Sequence, residues 1–151
     1  YRATHRYLPG HSLFIDLRLV VDEFSGYDRQ YFETIGYIQR VYEDLDRILD
    51  IELGVGFSQQ QLNEENREQS EVLRAGFVYE HEFNQGNIFR LDTLVLAGED
   101  NTYSQIRASM KTRIVGNVAL EVGQTVQRNS QVAPDKKETD TTTNIGLVYQ
   151  Y

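Results

Sequence analysis

The chain has 151 residues, a formal net charge of -8, 25% charged residues and no cysteine. That length holds one domain, and without cysteine there is no disulfide framework, thiolate metal site or thiol nucleophile. The acidic balance argues against nucleic acid as a partner, since phosphate binding needs a concentrated basic surface.

No run approaches the roughly 18 apolar residues of a membrane-spanning helix. A membrane β-barrel would read the same way, because lipid-facing and lumen-facing residues alternate and keep the mean hydropathy low. Tryptophan is absent, but ten Tyr and seven Phe can supply interfacial girdles. The opening residues Tyr1-Arg2-Ala3-Thr4-His5 show no basic stretch followed by an apolar one, so no signal peptide is visible; a mature exported protein would have lost it.

Residues 2–8 are a candidate strand whose status matters for the strand count. Residues 12–22 alternate cleanly, with Leu13, Ile15, Leu17, Leu19 and Val21 on one face and Phe14, Asp16, Arg18, Val20 and Asp22 on the other. Residues 31–40 read as a strand whose face is undecided. Next, Leu49, Ile51, Leu53, Val55 and Phe57 oppose Asp50, Glu52, Gly54, Gly56 and Ser58. Leu73, Ala75, Phe77, Tyr79, His81 and Phe83 oppose Arg74, Gly76, Val78, Glu80 and Glu82. Phe89, Leu91, Thr93, Val95 and Ala97 oppose Arg90, Asp92, Leu94 and Leu96. Ile106, Ala108, Met110, Thr112 and Ile114 oppose Arg107, Ser109, Lys111 and Arg113. Val118, Leu120, Val122 and Val126 oppose Glu121, Gly123, Thr125 and Gln127.

The final strand carries Ile145, Leu147, Tyr149 and Tyr151 on one face and stops on an aromatic residue. This resembles the assembly signal of outer-membrane β-barrels, and implies recognition by the barrel assembly machinery. The minor alternative is helical: Val41, Leu45, Ile48 and Leu49 have helical spacing, and residues 59–74 have helix-forming composition.

Connections alternate short and long: short at Pro9-Gly10-His11, 43–46, 84–87 and 115–117, long at 23–29, 59–69, 98–102 and 129–139. This is the pattern of a barrel whose hairpins of one kind lie at one end, with short turns facing the periplasm. The expected fold is an all-β, antiparallel, up-and-down transmembrane barrel of outer-membrane type with 8 to 10 or more strands, forming a single domain over residues 1–151. If residues 2–8 span, there are nine strands, and closure then requires upstream strands absent from this sequence; otherwise residues 1–8 are a leader. An eight-stranded barrel closing 13–21 against 145–151 is the alternative.

Asp46-Arg47 leading into Leu49-Asp50-Ile51-Glu52-Leu53-Gly54-Val55-Gly56-Phe57, together with Ala133-Pro134-Asp135-Lys136-Lys137-Glu138-Thr139-Asp140-Thr141-Thr142-Thr143 and Ile145-Gly146-Leu147-Val148-Tyr149, resembles the C-terminal part of the YdiY-like family. Those are salt-induced outer-membrane proteins of unknown function. The resemblance implies a bacterial outer-membrane location and brings no catalytic motif.

Candidate chemistry is sparse. His81 lies between Glu80 and Glu82, but adjacent strand residues point to opposite faces, so a place in an interfacial girdle outweighs an acid/base or metal role. Gly54-Val55-Gly56 lies inside a strand and is no phosphate loop; inward glycines there would relieve crowding where large Arg or Tyr side chains cross the lumen. Asp135-Lys136-Lys137-Glu138 carries no net charge and reads as a solvated loop tip.

Asp16, Arg18, Asp50, Glu52, Arg74, Glu80, Arg90, Asp92, Arg107, Lys111, Arg113 and Glu121 form an expected lumen charge network. Near-balanced opposite charges in a narrow lumen would pair and fill it. In a wide lumen they would stay solvated as a selectivity lining. The expected role is structural or envelope-maintaining, without catalysis or cofactor. A small-solute channel is the alternative, and a soluble barrel holding an apolar ligand against Leu13, Ile15, Leu17, Ile51 and Leu53 is a second. Expected partners are outer-membrane lipid and lipopolysaccharide, the assembly machinery and other envelope proteins.

Overall fold

The structure is a computed structural model that describes residues 1–20, 29–63, 66–84, 86–99, 101–130 and 138–149. The described residues form nine strands: β1 (Arg2–Leu8), β2 (His11–Val20), β3 (Arg29–Glu43), β4 (Arg47–Asn63), β5 (Asn66–Asn84), β6 (Asn87–Gly98), β7 (Thr102–Val115), β8 (Val118–Asn129) and β9 (Thr139–Tyr149). Each pairs antiparallel with the next in one sheet of order β1 to β9, and no ladder joins β1 to β9. Residues 2–8 are therefore a strand paired with β2, Ala3 opposite Ile15 and His5 opposite Leu13.

The sheet is rolled. Laid flat, β2 and β7 would stand about 24 Å apart at ordinary strand spacing. Instead the Arg18 guanidinium on β2 donates to Gln105 Oε1 on β7 at 3.3 Å. Phe32 on β3 likewise meets Tyr103 on β7, ring centroids 6.0 Å apart.

One face of every strand thus turns inward. On β3, whose face the sequence leaves open, Phe32, Thr34, Gly36, Ile38 and Arg40 share the inward side with Asp16 and Glu52 by register. Phe32, Val72, Leu94, Leu96 and Tyr103 make a buried apolar cluster toward the end opposite the short turns, with Val20 packed against it.

Two expectations on connections change. Residues 59–69 are not a long loop: β4 runs on to Asn63 and β5 starts at Asn66, with Gln60 opposite Glu68 and Gln61 opposite Arg67. Polar side chains do not prevent pairing where two adjacent strands project together, because the ladder satisfies the backbone whatever the side chains are. The helical alternatives give way too: of residues 41–49, 44–46 form the β3–β4 turn and the rest lie in strands, and the described part of 59–74 is strand throughout. The loop at 23–29, the tip Asp135-Lys136-Lys137 and Tyr151 lie outside the described residues or, at Arg29, are described in backbone only.

Gly36 and Gly56 mark where β3 and β4 come closest. A Cβ built on Gly56 would collide with the Glu33 carbonyl, and one on Gly36 with the Leu53 carbonyl and, at 2.6 Å, with Phe14 Cζ. The side chain that Gly36 and Gly54 make room for is the Phe14 ring, not an Arg or Tyr, whereas Gly56 meets only the β3 backbone. We expect Gly56→Ala to lower stability by about 1–3 kcal/mol, the usual cost of overpacking. Gly146→Ala should be close to neutral, since nothing lies within 4 Å of its added methyl. Urea midpoints of the two variants check this.

Candidate functional site

The densest polar chemistry lies on the inward face around Arg74. β5 delivers this side chain between β2 and β4, and it is buried. Its Nη1 donates to Asp16 Oδ2 at 2.7 Å and its Nη2 to Glu52 Oε2 at 3.3 Å. Arg2 Nη2 donates to the same Glu52 oxygen at 2.8 Å, and Arg18 stands 3.8 Å from Asp16. The Phe14 ring has the Arg2 guanidinium 4.6 Å and the Arg74 guanidinium 4.9 Å from its centroid, so both cations also engage a π-face.

Toward the short turns a second group surrounds a cavity of ≈ 440 Å³. Arg40 grips Asp50 with two bonds, Nε to Oδ1 at 2.8 Å and Nη2 to Oδ2 at 3.1 Å, and reaches Glu43 at 3.0 Å. Arg90 pairs with Glu80 at 3.1 Å and with Asp92 at 3.7 Å. On β7 and β8, Arg107 Nε donates to Thr125 Oγ1 at 3.4 Å, Lys111 stands opposite Glu121 in register, and Arg113 lies beside the Gly86 turn.

The predicted charges thus fall into one buried group, Asp16, Glu52 and Arg74 with Arg18 at its edge, and one more open group, Asp50, Glu80, Arg90 and Asp92. Arg107, Lys111, Arg113 and Glu121 stand apart from both. Sequence reading missed Arg2 and Arg40. Both sit at inward positions by strand parity, but on the two strands whose role or face was undecided.

His11 and His81 face outward, among aromatics. His11 is hydrogen bonded to the Tyr37 hydroxyl and stacked on that ring, with Tyr7 beside it. His81 lies 4.0 Å from the Phe83 centroid, touches Tyr79, and stands 3.3 Å from Asp46 of the β3–β4 turn. Its carboxylate neighbour is therefore Asp46, not Glu80 or Glu82. No group of three metal-ligating side chains exists among the described residues.

The outward face inverts the polarity of a water-soluble protein. Leu53 is 59% exposed beside Glu52 at 5%, and Leu73 is 65% exposed beside Arg74 at 3%. Leu13, Ile15, Leu17 and Ile51 are likewise exposed on this face, so a ligand held inside the curl would not meet them. On β5 the outward apolar stretch from Leu73 to Tyr79 is bounded by Glu71 and His81. At normal rise and barrel tilt those bounds lie about 25 Å apart along the axis. Ile145, Leu147 and Tyr149 are exposed on the same side of β9.

The chain belongs to the family described as protein of unknown function, DUF481, which matches residues 1–151. No curated protein and no solved structure matches it.

Proposed function

We propose that this chain is a wall of a bacterial outer-membrane β-barrel whose interior is filled by ion pairs, and that its role is structural or envelope-maintaining without catalysis. The observation that carries this reading is the inversion of polarity: outward leucines left bare beside inward acids and arginines that are buried. In water such a surface would be an aggregation liability, whereas in lipid it is the favoured arrangement. The apolar height on β5 is that of an outer-membrane barrel's lipid-facing band, and the His–Tyr–Phe contacts near the short turns suit an interfacial girdle.

Closure in this reading comes from further strands. With nine strands in an up-and-down sheet, β1 and β9 run in the same direction, so direct pairing between them would be parallel. An odd number of additional antiparallel strands restores the even count usual in bacterial barrels. The resemblance to salt-induced outer-membrane proteins fits this location. Outer-membrane lipid, lipopolysaccharide and the assembly machinery, reading Ile145, Leu147, Tyr149 and Tyr151, are then the partners.

The buried Arg74 group and the apolar cluster favour a filled lumen over a channel. In a planar bilayer the protein, which in its inserted state should also migrate faster on gels before heating than after, is expected to give no conductance steps. Regular steps would establish the small-solute channel instead.

A further inference from the structure

Two contacts cross the lumen, and both end on β7 at neighbouring inward positions. From β2 the Arg18 guanidinium reaches Gln105 Oε1, and from β3 the Phe32 ring meets Tyr103. Together with the apolar cluster they close the end opposite the short turns. The Arg74 group, by contrast, keeps to the wall of β2, β4 and β5. Nearer the short turns the inward face leaves room. There β7 to β9 carry the small residues Ser109, Gly123 and Gly146 around a hollow of ≈ 320 Å³, and β3 to β6 line the ≈ 440 Å³ cavity, where the Arg90 side chain is 46% exposed.

The crossing is poorly satisfied. Gln105 Oε1 has two lone pairs but takes three donors, Arg18 Nη1 at 3.3 Å, the Tyr103 hydroxyl at 3.0 Å and Gln127 Nε2 at 3.3 Å. Gln30, two residues from Phe32 on the same inward face, is 2% exposed, and neither polar atom of its amide has a hydrogen-bond partner among the described residues. A buried amide left unpaired is costly, and water entering an opened crossing would satisfy it. Arg18 has a second resting place as well, since Asp16 on its own strand stands 3.8 Å away.

We propose that these contacts form a latch that holds the lumen shut at this end, with Arg18 as its moving part: on Gln105 when the lumen is closed, on Asp16 when it is open. Opening exchanges a shared amide oxygen for a carboxylate and hydrates Gln30, so the open arrangement gains what the closed one lacks. The latch deepens the filled-lumen reading above and rests on it.

Planar-bilayer recording of two double variants tests it. Phe32→Ser with Gln105→Ser removes both crossings. Arg18→Cys with Gln105→Cys removes one, spares the apolar cluster and lets a bismaleimide remake the link, since the chain has no other thiol. The unmodified protein and Arg90→Ser, changed in the open cavity, should stay silent. Both double variants should give regular conductance steps, and those of the second should be lost on treatment with the bismaleimide but kept with a monofunctional maleimide. An inserted double variant that stays silent overturns the latch, insertion being read from faster gel migration before heating. So do steps that survive the bismaleimide, or steps from Arg90→Ser as frequent as those of the double variants. Should the first double variant fail to insert, the second decides alone. Steps in the unmodified protein sink the filled-lumen reading and the latch together, whereas silence from every inserted variant sinks the latch alone.

Discussion

Leu53→Arg should destabilise the inserted protein by about 2–4 kcal/mol, the cost of a guanidinium facing lipid near the midplane. Leu53 sits centrally on the outward face of β4 between Leu49 and Phe57, and is paired with Tyr37 and Ala75 on its neighbours. No acid flanks it on that face, so the new cation would have to snorkel or draw water with it. Leu17, Phe77 and Leu147 should respond in the same direction, less so toward the rims. Arg18→Lys, one residue from Leu17 but inward, should cost under about 1 kcal/mol because a partly exposed cation is kept. Urea titration followed by unheated gel mobility measures both. Equal tolerance at Leu53 and Arg18 would reverse the assignment of faces.

Arg74→Met should cost about 3–5 kcal/mol, the penalty for leaving buried charges without their partner. The Arg74 side chain is 2% exposed, and the Asp16 and Glu52 side chains that it serves are 8% and 6% exposed. Arg2 and Arg18 remain after the substitution, but they are more solvated, and Arg18 reaches Asp16 only at 3.8 Å. Adding Asp16→Asn and Glu52→Gln to Arg74→Met should recover most of the loss, since the triple variant buries no uncompensated charge. The same urea titration reads both variants. A loss below about 1 kcal/mol for Arg74→Met, the value for a solvated pair, would mean that water reaches these groups as in an open pore.

The faces of β2 and of β4 to β8 were legible because one side of each is mostly apolar at period two. β3 was not, because it carries Glu33 outward and Phe32 and Ile38 inward, so neither face is pure. The polar run at 59–69 reads as loop by composition, yet its two halves pair as extensions of β4 and β5. Pairing there depends on a neighbouring strand, which a local pattern does not show. Within the site, Asp16, Glu52 and Arg74 could be placed on one face by parity. That these three meet one another, and that Phe14 lies over Gly36 with Arg2 and Arg74 against its ring, follows from the roll of the sheet. Roll brings β1 to β4 and β2 to β5, and no spacing along the chain encodes it.

The direct test of the membrane-wall reading is the environment of each face of one strand in reconstituted vesicles. The chain has no cysteine, so single cysteines placed along β7 from residue 104 to residue 112 carry a spin label without background. Labels at Ile106, Ala108 and Met110 should be relaxed by oxygen, which partitions into lipid, and shielded from a water-soluble nickel chelate. Labels at Gln105, Arg107, Ser109 and Lys111 should lack that lipid signature, giving an alternation of period two. Chelate access at Ile106, Ala108 and Met110, or no alternation at all, would contradict a wall with lipid on its apolar side.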